Sequence, residues 1–283
     1  MNKFFAVLSA GAVALILTAC NTGATPTKDT TATSKLTLEQ VYDKAMERQA
    51  DIKSMSASMD MEQVMKFGAG DESMEMNMDS QMDIDMIAKP LAMHLSGTMT
   101  VPDMFGEGDE NSSMPIEMYM KQEQGFFMKD PTTEGWMKLP NEQFDAILDQ
   151  TASSANAKEQ LEQLKQYIDD FTFEQTDDTY VLTLNAQGDA FKELIQSELD
   201  KSLGTSENPL GDLSIEKANY VIYIDKETFD TNKMDMEFDL IMSVEGQEAA
   251  IQTKSVVTYT EINNLDSIDI PQSIIDKATV VEN

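Results

Sequence analysis

From Ser73 to Met86 the chain alternates without a slip. Met74, Met76, Met78, Ser80, Met82, Ile84 and Met86 hold the even positions; Ser73, Glu75, Asn77, Asp79, Gln81, Asp83 and Asp85 hold the odd ones. Successive side chains of an extended strand point to opposite faces, so this stretch has one apolar and one wet face, as a half-solvated antiparallel sheet requires. Neighbouring segments repeat the pattern. Met55, Ala57, Met59, Met61 and Met65 form the face of the preceding strand, Leu91, Met93, Leu95, Met99 and Val101 the next, and Met114, Ile116, Met118 and Met120 a fourth. Gly68-Ala69-Gly70-Asp71 and Lys89-Pro90 are turn signals between them, and a shorter pair follows around Phe126–Met128 and Trp136–Lys138.

Helical spacing appears on either side of strands. Thr37 with Gln40 three residues on is a capping box, and Leu38, Val41, Tyr42, Ala45, Met46 and Ile52 continue an amphipathic helix. Further helices are expected from Asn141 (Phe144, Ile147, Leu148), through Leu161, Leu164 and Ile168, and from Asp189 (Phe191, Leu194, Ile195, Leu199) to Gly204. Strands are expected at Phe171–Phe173, Tyr180–Leu184, Ala218–Asp225, Met234–Val244 and Ala250–Thr260, with a short helical piece around Ile274-Ile275. The fold class is α+β: a strongly curved antiparallel sheet of about 11 strands, an unclosed barrel, with the helices covering its concave face. A sheet of that size must curl, and its apolar side must be covered.

The chain begins with Lys3, an apolar run from Phe4 to Leu17, and then Leu17-Thr18-Ala19-Cys20, which holds the only cysteine. This is the layout of a secretory signal over residues 1–19, and the run is too short for a convincing permanent span. The tetrapeptide resembles a bacterial lipobox, in which cleavage precedes the cysteine and the new N-terminal Cys20 carries lipid. Such chains anchor firmly, at about 0.8 kcal/mol per buried methylene. Residues 20–35, rich in Thr, Ala and Lys with one Pro, read as a flexible tether, and residues 36–283 as a single domain. The expected location is the extracytoplasmic face of a bacterial cell membrane.

With Cys20 committed to lipid, no thiol remains for disulfides, thiolate catalysis or zinc. A single histidine, His94, leaves a Ser-His-Asp site improbable, and by parity it lies on the wet strand face. There is no Gly-rich phosphate loop, EF-hand loop or zinc-protease helix. Asp79, Asp83 and Asp85 line an outer face without the spacing of a calcium cage. The formal net charge is −31, which repels nucleic acid and anionic headgroups. No catalytic residue, cofactor or metal is assigned, and the expectation is a monomeric non-enzyme.

Of 22 methionines, 17 fall between Met55 and Met137. Met used as plain core filler is one explanation. Met specifies packing poorly, though, and Val and Ile suit strands better. A pliable wall around variable apolar cargo is the other explanation. Thioethers also ligate Cu(I), and Met74, Met76, Met78, Met118 and Met120 are candidates, although residues two apart on a strand sit about 6.5–7 Å apart and need cross-strand neighbours. Trp136 with Phe126 and Phe127 either caps a pocket mouth or packs as an ordinary hairpin.

Asp51-Ile52-Lys53-Ser54-Met55-Ser56-Ala57-Ser58 after a tether and a capped helix, and Val257–Asn263 followed by Ile268-Asp269-Ile270-Pro271, resemble Gram-positive surface lipoproteins related in fold to LolA and to the mycobacterial LppX and LprG group. The resemblance covers most of the chain after Lys35 as an element order; the extreme methionine use and acidity depart from it. It implies a half-open barrel that holds a hydrophobic ligand between sheet and helices, without enzymatic activity. The expected partner is therefore a hydrophobic or lipid-like small molecule, bound against a wall of Met59, Met61, Met74, Met76, Met78, Met82, Met93, Met118, Met120, Met236 and Phe238. The alternative is a surface accessory module with a filled interior that binds a protein partner.

Overall fold

The computed structural model describes residues 23–68, 74–102, 111–131, 133, 135–141, 144, 165, 167–186, 212–244 and 247–281. Its elements in chain order are β1 (Thr25–Pro26), α1 (Leu38–Ala50), β2 (Ser54–Phe67), β3 (Met74–Ile87), β4 (Ala92–Pro102), β5 (Asn111–Lys121), β6 (Gly125–Lys129), β7 (Trp136–Lys138), β8 (Phe171–Gln175), β9 (Thr179–Ala186), β10 (Asp212–Asp225), β11 (Thr231–Val244), β12 (Gln247–Ile262), α2 (Gln272–Lys277) and β13 (Thr279–Val280). All strands join one sheet in the order β1-β8-β9-β10-β11-β12-β2-β3-β4-β5-β6-β7-β13. The two ends do not pair with each other, so the sheet is unclosed.

The strands lie where the period of two places them, with three differences from expectation. The described residues form 13 strands rather than about 11, because short segments near both ends of the described chain add to the edges. Those additions, β1 on β8 and β13 on β7, are parallel, so the sheet is mixed rather than purely antiparallel. The helices do not all lie on one side, as described below. The helices expected over 141–148, 161–168 and 189–204 fall mostly outside the described residues. Among the described residues no helix is long and apolar enough to cross a membrane.

Helix α1 is built as its sequence dictates. The Thr37 hydroxyl accepts from the Gln40 N–H at 3.3 Å, and the Gln40 side chain accepts from the Thr37 N–H at 3.0 Å. Its buried face, Val41, Tyr42 and Ala45, joins Phe171, Tyr180, Leu182, Leu184, Ala218, Ile222 and Ile224 in one core cluster. Each large side chain in this cluster contributes about 1.5–3 kcal/mol by leaving water. At the helix C-terminus Arg48 reaches Asp230 with two bonds, Nε to Oδ1 at 2.6 Å and Nη2 to Oδ2 at 3.3 Å, tying α1 to the β10–β11 turn.

A second cluster forms on the other side of the sheet. Phe127, Ile270 and Ile274 are buried there with Tyr119 and Trp136 against them. Strand parity puts Phe127, Tyr119 and Trp136 on the face opposite Met118, Met120 and Met128. Among the described residues, helix α2 therefore covers the charged face of the sheet at β5–β7 while α1 packs on the apolar side of β8–β10, and the expectation of helices together covering the concave face is not supported. Trp136 and Phe127 pack as a hairpin under α2, with Tyr119 and Trp136 ring centroids 5.8 Å apart.

Strand β4 carries a constriction. A Cβ at Gly97 would collide with the Gln81 carbonyl oxygen and sit 2.9 Å from Met82 Cα, so β3 and β4 approach there as only glycine permits. Register shifts in β10–β11 and β12–β2 add local bends.

Residues 23–35, expected to be a flexible tether, are instead docked on the β8 edge. Thr25 and Pro26 pair with Glu174 and Gln175, and Gly23 bridges Thr37. The Gln175 side chain is 1% exposed; its amide donates to the Ala24 carbonyl at 2.7 Å and accepts from the Ser34 N–H at 2.7 Å. Asp177 accepts from the N–H groups of Ala32 at 2.8 Å and Thr31 at 2.6 Å, and these bonds hold its carboxyl below the usual carboxylate range. The apolar period that marks packed segments is absent from residues 23–35, of which Ala24 joins the core cluster while hydrogen bonds to the Gln175 and Asp177 side chains hold their main chain. We expect Gln175→Leu to leave buried partners unsatisfied, at about 1–3 kcal/mol, and to speed tryptic cleavage at Lys28 and Lys35. Limited proteolysis with mass-spectrometric mapping checks this; equal cleavage in both proteins refutes the clamp.

Candidate functional site

Register, read strand by strand, collects the apolar side chains on one face. Met59 pairs with Met82, Met65 with Met76, Gln63 with Met78 and Phe67 with Met74 across β2–β3. Met86 pairs with Met93 across β3–β4, and Met93 with Met120 and Leu95 with Met118 across β4–β5. Met236 faces Ser255 on one side and Tyr220 on the other; Phe238 faces Thr253 and Ala218. All eleven residues of the expected wall thus share one face, and Met55, Met86, Met93 and Met120 form an unbroken row over four strands.

They are not in equivalent surroundings. Phe238 packs against the α1 cluster, with its ring 5.1 Å from Tyr220 in a T-shaped contact. Met120 is 2% exposed, and Met74 is 60% exposed beside Phe67 at the end of the β2–β3 ladder. Met59, Met61, Met76, Met78, Met82, Met93, Met118 and Met236 are half-buried. The face is therefore filled under α1 and looser over β2–β4. Burial pushes the Tyr259 hydroxyl, on the same face at β12, above its ordinary value.

A depression of about 350 Å³ is lined by Ser58, Met59, Asp60, Gln81, Met82, Asp83, Gly97 and Thr98. Five of these belong by parity to the charged face, and only Met59 and Met82 to the expected wall, so this space is not the Met-lined cavity that the methionine pattern predicts. It lies beside the close approach of β3 and β4 at Gly97.

Besides Gln175 on β8 and Ser112 on β5, four polar residues cluster on the apolar face across β12, β2 and β3, and the alternation of methionines drew attention away from them. Ser255 and Ser80 flank Met61 from the two neighbouring strands. One step along, the Gln63 amide donates to the Thr253 hydroxyl at 3.1 Å. Ser80 and Ser255 are buried, at 2% and 7% exposure. The Ser80 hydroxyl has no hydrogen-bond partner among the described residues. No ionisable carboxylate or ammonium shares this face from β2 to β5 or on β11 and β12.

The described residues of the charged face include the one histidine and several of the aspartates singled out above. His94 lies there, as its parity predicts, stacked on Tyr119 at 4.2 Å. Glu117 is 3.9 Å from His94 Nε2, too far for a hydrogen bond. Asp85 accepts from Ser56, and Asp79 and Asp83 follow along the same strand face. Among the described residues no three His, Cys, Asp or Glu side chains converge as metal ligands. Cys20 lies outside the described residues.

Truncation costs should follow the two environments. Leu182→Ala and Met120→Ala are expected to cost about 2–5 kcal/mol, and Met78→Ala under about 2 kcal/mol, because a half-exposed side chain leaves no sealed cavity. Urea denaturation of the three variants measures this, and equal costs would mean a uniformly filled face.

A model of a family of unknown function (DUF6612) matches residues 37–279. No curated protein matches the sequence. Among solved structures, similarity is found to a DUF1329 family protein from Desulfovibrio piger (10% identity, 82% of this chain and 95% of that one, TM-score 0.21). It is also found to a putative outer membrane lipoprotein-sorting protein domain from Vibrio parahaemolyticus (9% identity, 85% and 100%, TM-score 0.20) and to a beta-barrel-like DUF1849 protein from Brucella abortus (9% identity, 74% and 99%, TM-score 0.21). Scores of this size carry no argument about function.

Proposed function

We propose that this protein, which belongs to the DUF6612 family, binds a hydrophobic or lipid-like molecule against its methionine-rich sheet face while held to the outer side of a bacterial membrane through lipid on Cys20. The observation that carries the proposal is the single uncharged face running from β8 to β5, packed under α1 at one end and half-exposed over β2–β4. An apolar surface of that extent, kept from water by unbranched, adaptable side chains, suits a guest of variable shape. The protein acts by binding and release rather than by bond chemistry.

The anchor and the body are closely coupled in this proposal. Gly23 is already bridged to Thr37, so the leash from Cys20 spans three residues, about 10 Å when extended. The acidic charge then keeps the remainder of the surface from anionic headgroups. A filled accessory module that binds a protein remains the competing function, and it predicts a core without guest.

Two measurements test the parts separately. Full-length protein carrying Cys20→Ser, and so lacking attached lipid, is expected to yield co-purified lipid on organic extraction and mass spectrometry, and to take up an apolar fluorescent dye. Absence of both would remove the binding function. Wild-type protein is expected to carry acyl mass on its N-terminal peptide and to sediment with membranes, whereas Cys20→Ser is expected in the medium; an unmodified wild-type N-terminus would remove the anchor alone.

A further inference from the structure

We infer that the bound molecule carries an uncharged hydrogen-bonding group, of the acyl-ester or alcohol kind, that is received by Ser80 within the methionine face. This rests on the binding function proposed above and narrows its ligand.

A buried hydroxyl without a partner is costly, because its lost hydration is not replaced. Five buried side-chain atoms of the described residues make no hydrogen bond: Ser80 Oγ, His94 Nε2, Gln124 Oε1, Asn219 Oδ1 and Asp235 Oδ1, the last ion-paired with Lys233 Nζ at 2.8 Å. Pairing registers put His94, Asn219 and Asp235 on the charged face, and Gln124 sits in the β5–β6 turn. Ser80 is the one on the apolar face, where the strand period calls for Met, Ile or Leu. Its surroundings form a polar island. Met61 separates it from buried Ser255, and Gln63 and Thr253 lie two residues along the same strands. Gln63 donates one N–H to the Thr253 hydroxyl at 3.1 Å, and of the four polar side chains Ser80 is the one whose hydroxyl is buried without a partner among the described residues.

Charge narrows the ligand class. Among the described residues of these strands no ammonium or guanidinium shares this face, so a carboxylate or phosphate placed here would be desolvated without compensation from them. With no carboxylate, a cationic headgroup fares no better. A neutral ester carbonyl or hydroxyl, by contrast, gains a bond from Ser80 while its hydrocarbon chain lies along the methionines. An unsubstituted hydrocarbon would leave Ser80 unsatisfied.

Competition against the apolar dye N-phenylnaphthylamine tests this on the full-length Cys20→Ser protein at neutral pH, using three molecules with the same chain length: monooleoylglycerol, oleate and octadecene. Monooleoylglycerol is expected to displace the dye most strongly. Adding Ser80→Ala is expected to weaken monooleoylglycerol about three- to tenfold, the worth of one net hydrogen bond, and to leave octadecene unchanged. Ser80→Thr, which keeps the hydroxyl, is expected to retain the affinity. Because Ser80→Ala removes an unsatisfied group from the empty protein, its thermal midpoint should be equal to or above that of the parent. Oleate binding as tightly as monooleoylglycerol would overturn the neutral class. Unchanged monooleoylglycerol binding in Ser80→Ala, or a lowered midpoint with unchanged binding, would show that the hydroxyl serves the fold alone. Failure of the dye itself to bind would instead bring down the underlying binding function, a distinct result.

Discussion

Strand register is the constraint on which this molecule depends. Fourteen-residue strands such as β2 and β3 pair along their whole length, so apolar faces must coincide from one strand to the next. A shift of one residue between them would bring Glu62, Asp79 and Asp83 among the methionines. That exclusion of charge makes the register self-correcting, and it produces the long uncharged face. The same requirement disposes of charge in a chain of formal charge −31: in strands β2 to β5, β11 and β12 the carboxylates lie on the face opposite the methionines, where water and partners such as Lys217–Glu237 screen them.

An open sheet leaves edges, and both are closed economically. The N-terminal segment covers β8 through β1, held by Gln175 and Asp177, and β13 covers β7 after α2 has packed on the charged face. Each addition is two residues long, which satisfies the outer backbone groups without presenting a new extended edge. The first closure also turns a presumed spacer into part of the domain, beside the end of the sheet over which α1 lies.

Much of this was legible in the residues. Alternation placed β2 to β5 and β11 correctly, the Thr37–Gln40 capping box marked the start of α1, and parity put His94 on the wet face. Other elements gave no local sign. The segment 23–35 has no apolar period: Ala24 alone of it enters the core cluster, and hydrogen bonds to Gln175 and Asp177 hold much of the rest. Helix α2 has one buried residue, Ile274, and nothing in its sequence says which side of a sheet it will meet. Ser80 looked like an interruption in a methionine series; its burial and lack of a partner are properties of its neighbours.

By itself the sequence determined which side chains share a face, because alternation along an extended strand is a local geometric necessity. Only the tertiary structure decided which strands become neighbours, so that Met55, Met86, Met93 and Met120 form a row, Ser80 and Ser255 flank Met61, and an unpatterned leader closes an edge. Those outcomes follow from pairings between residues far apart in the chain, as with Met61 and Ser255, and a repeat of two residues carries no information about them.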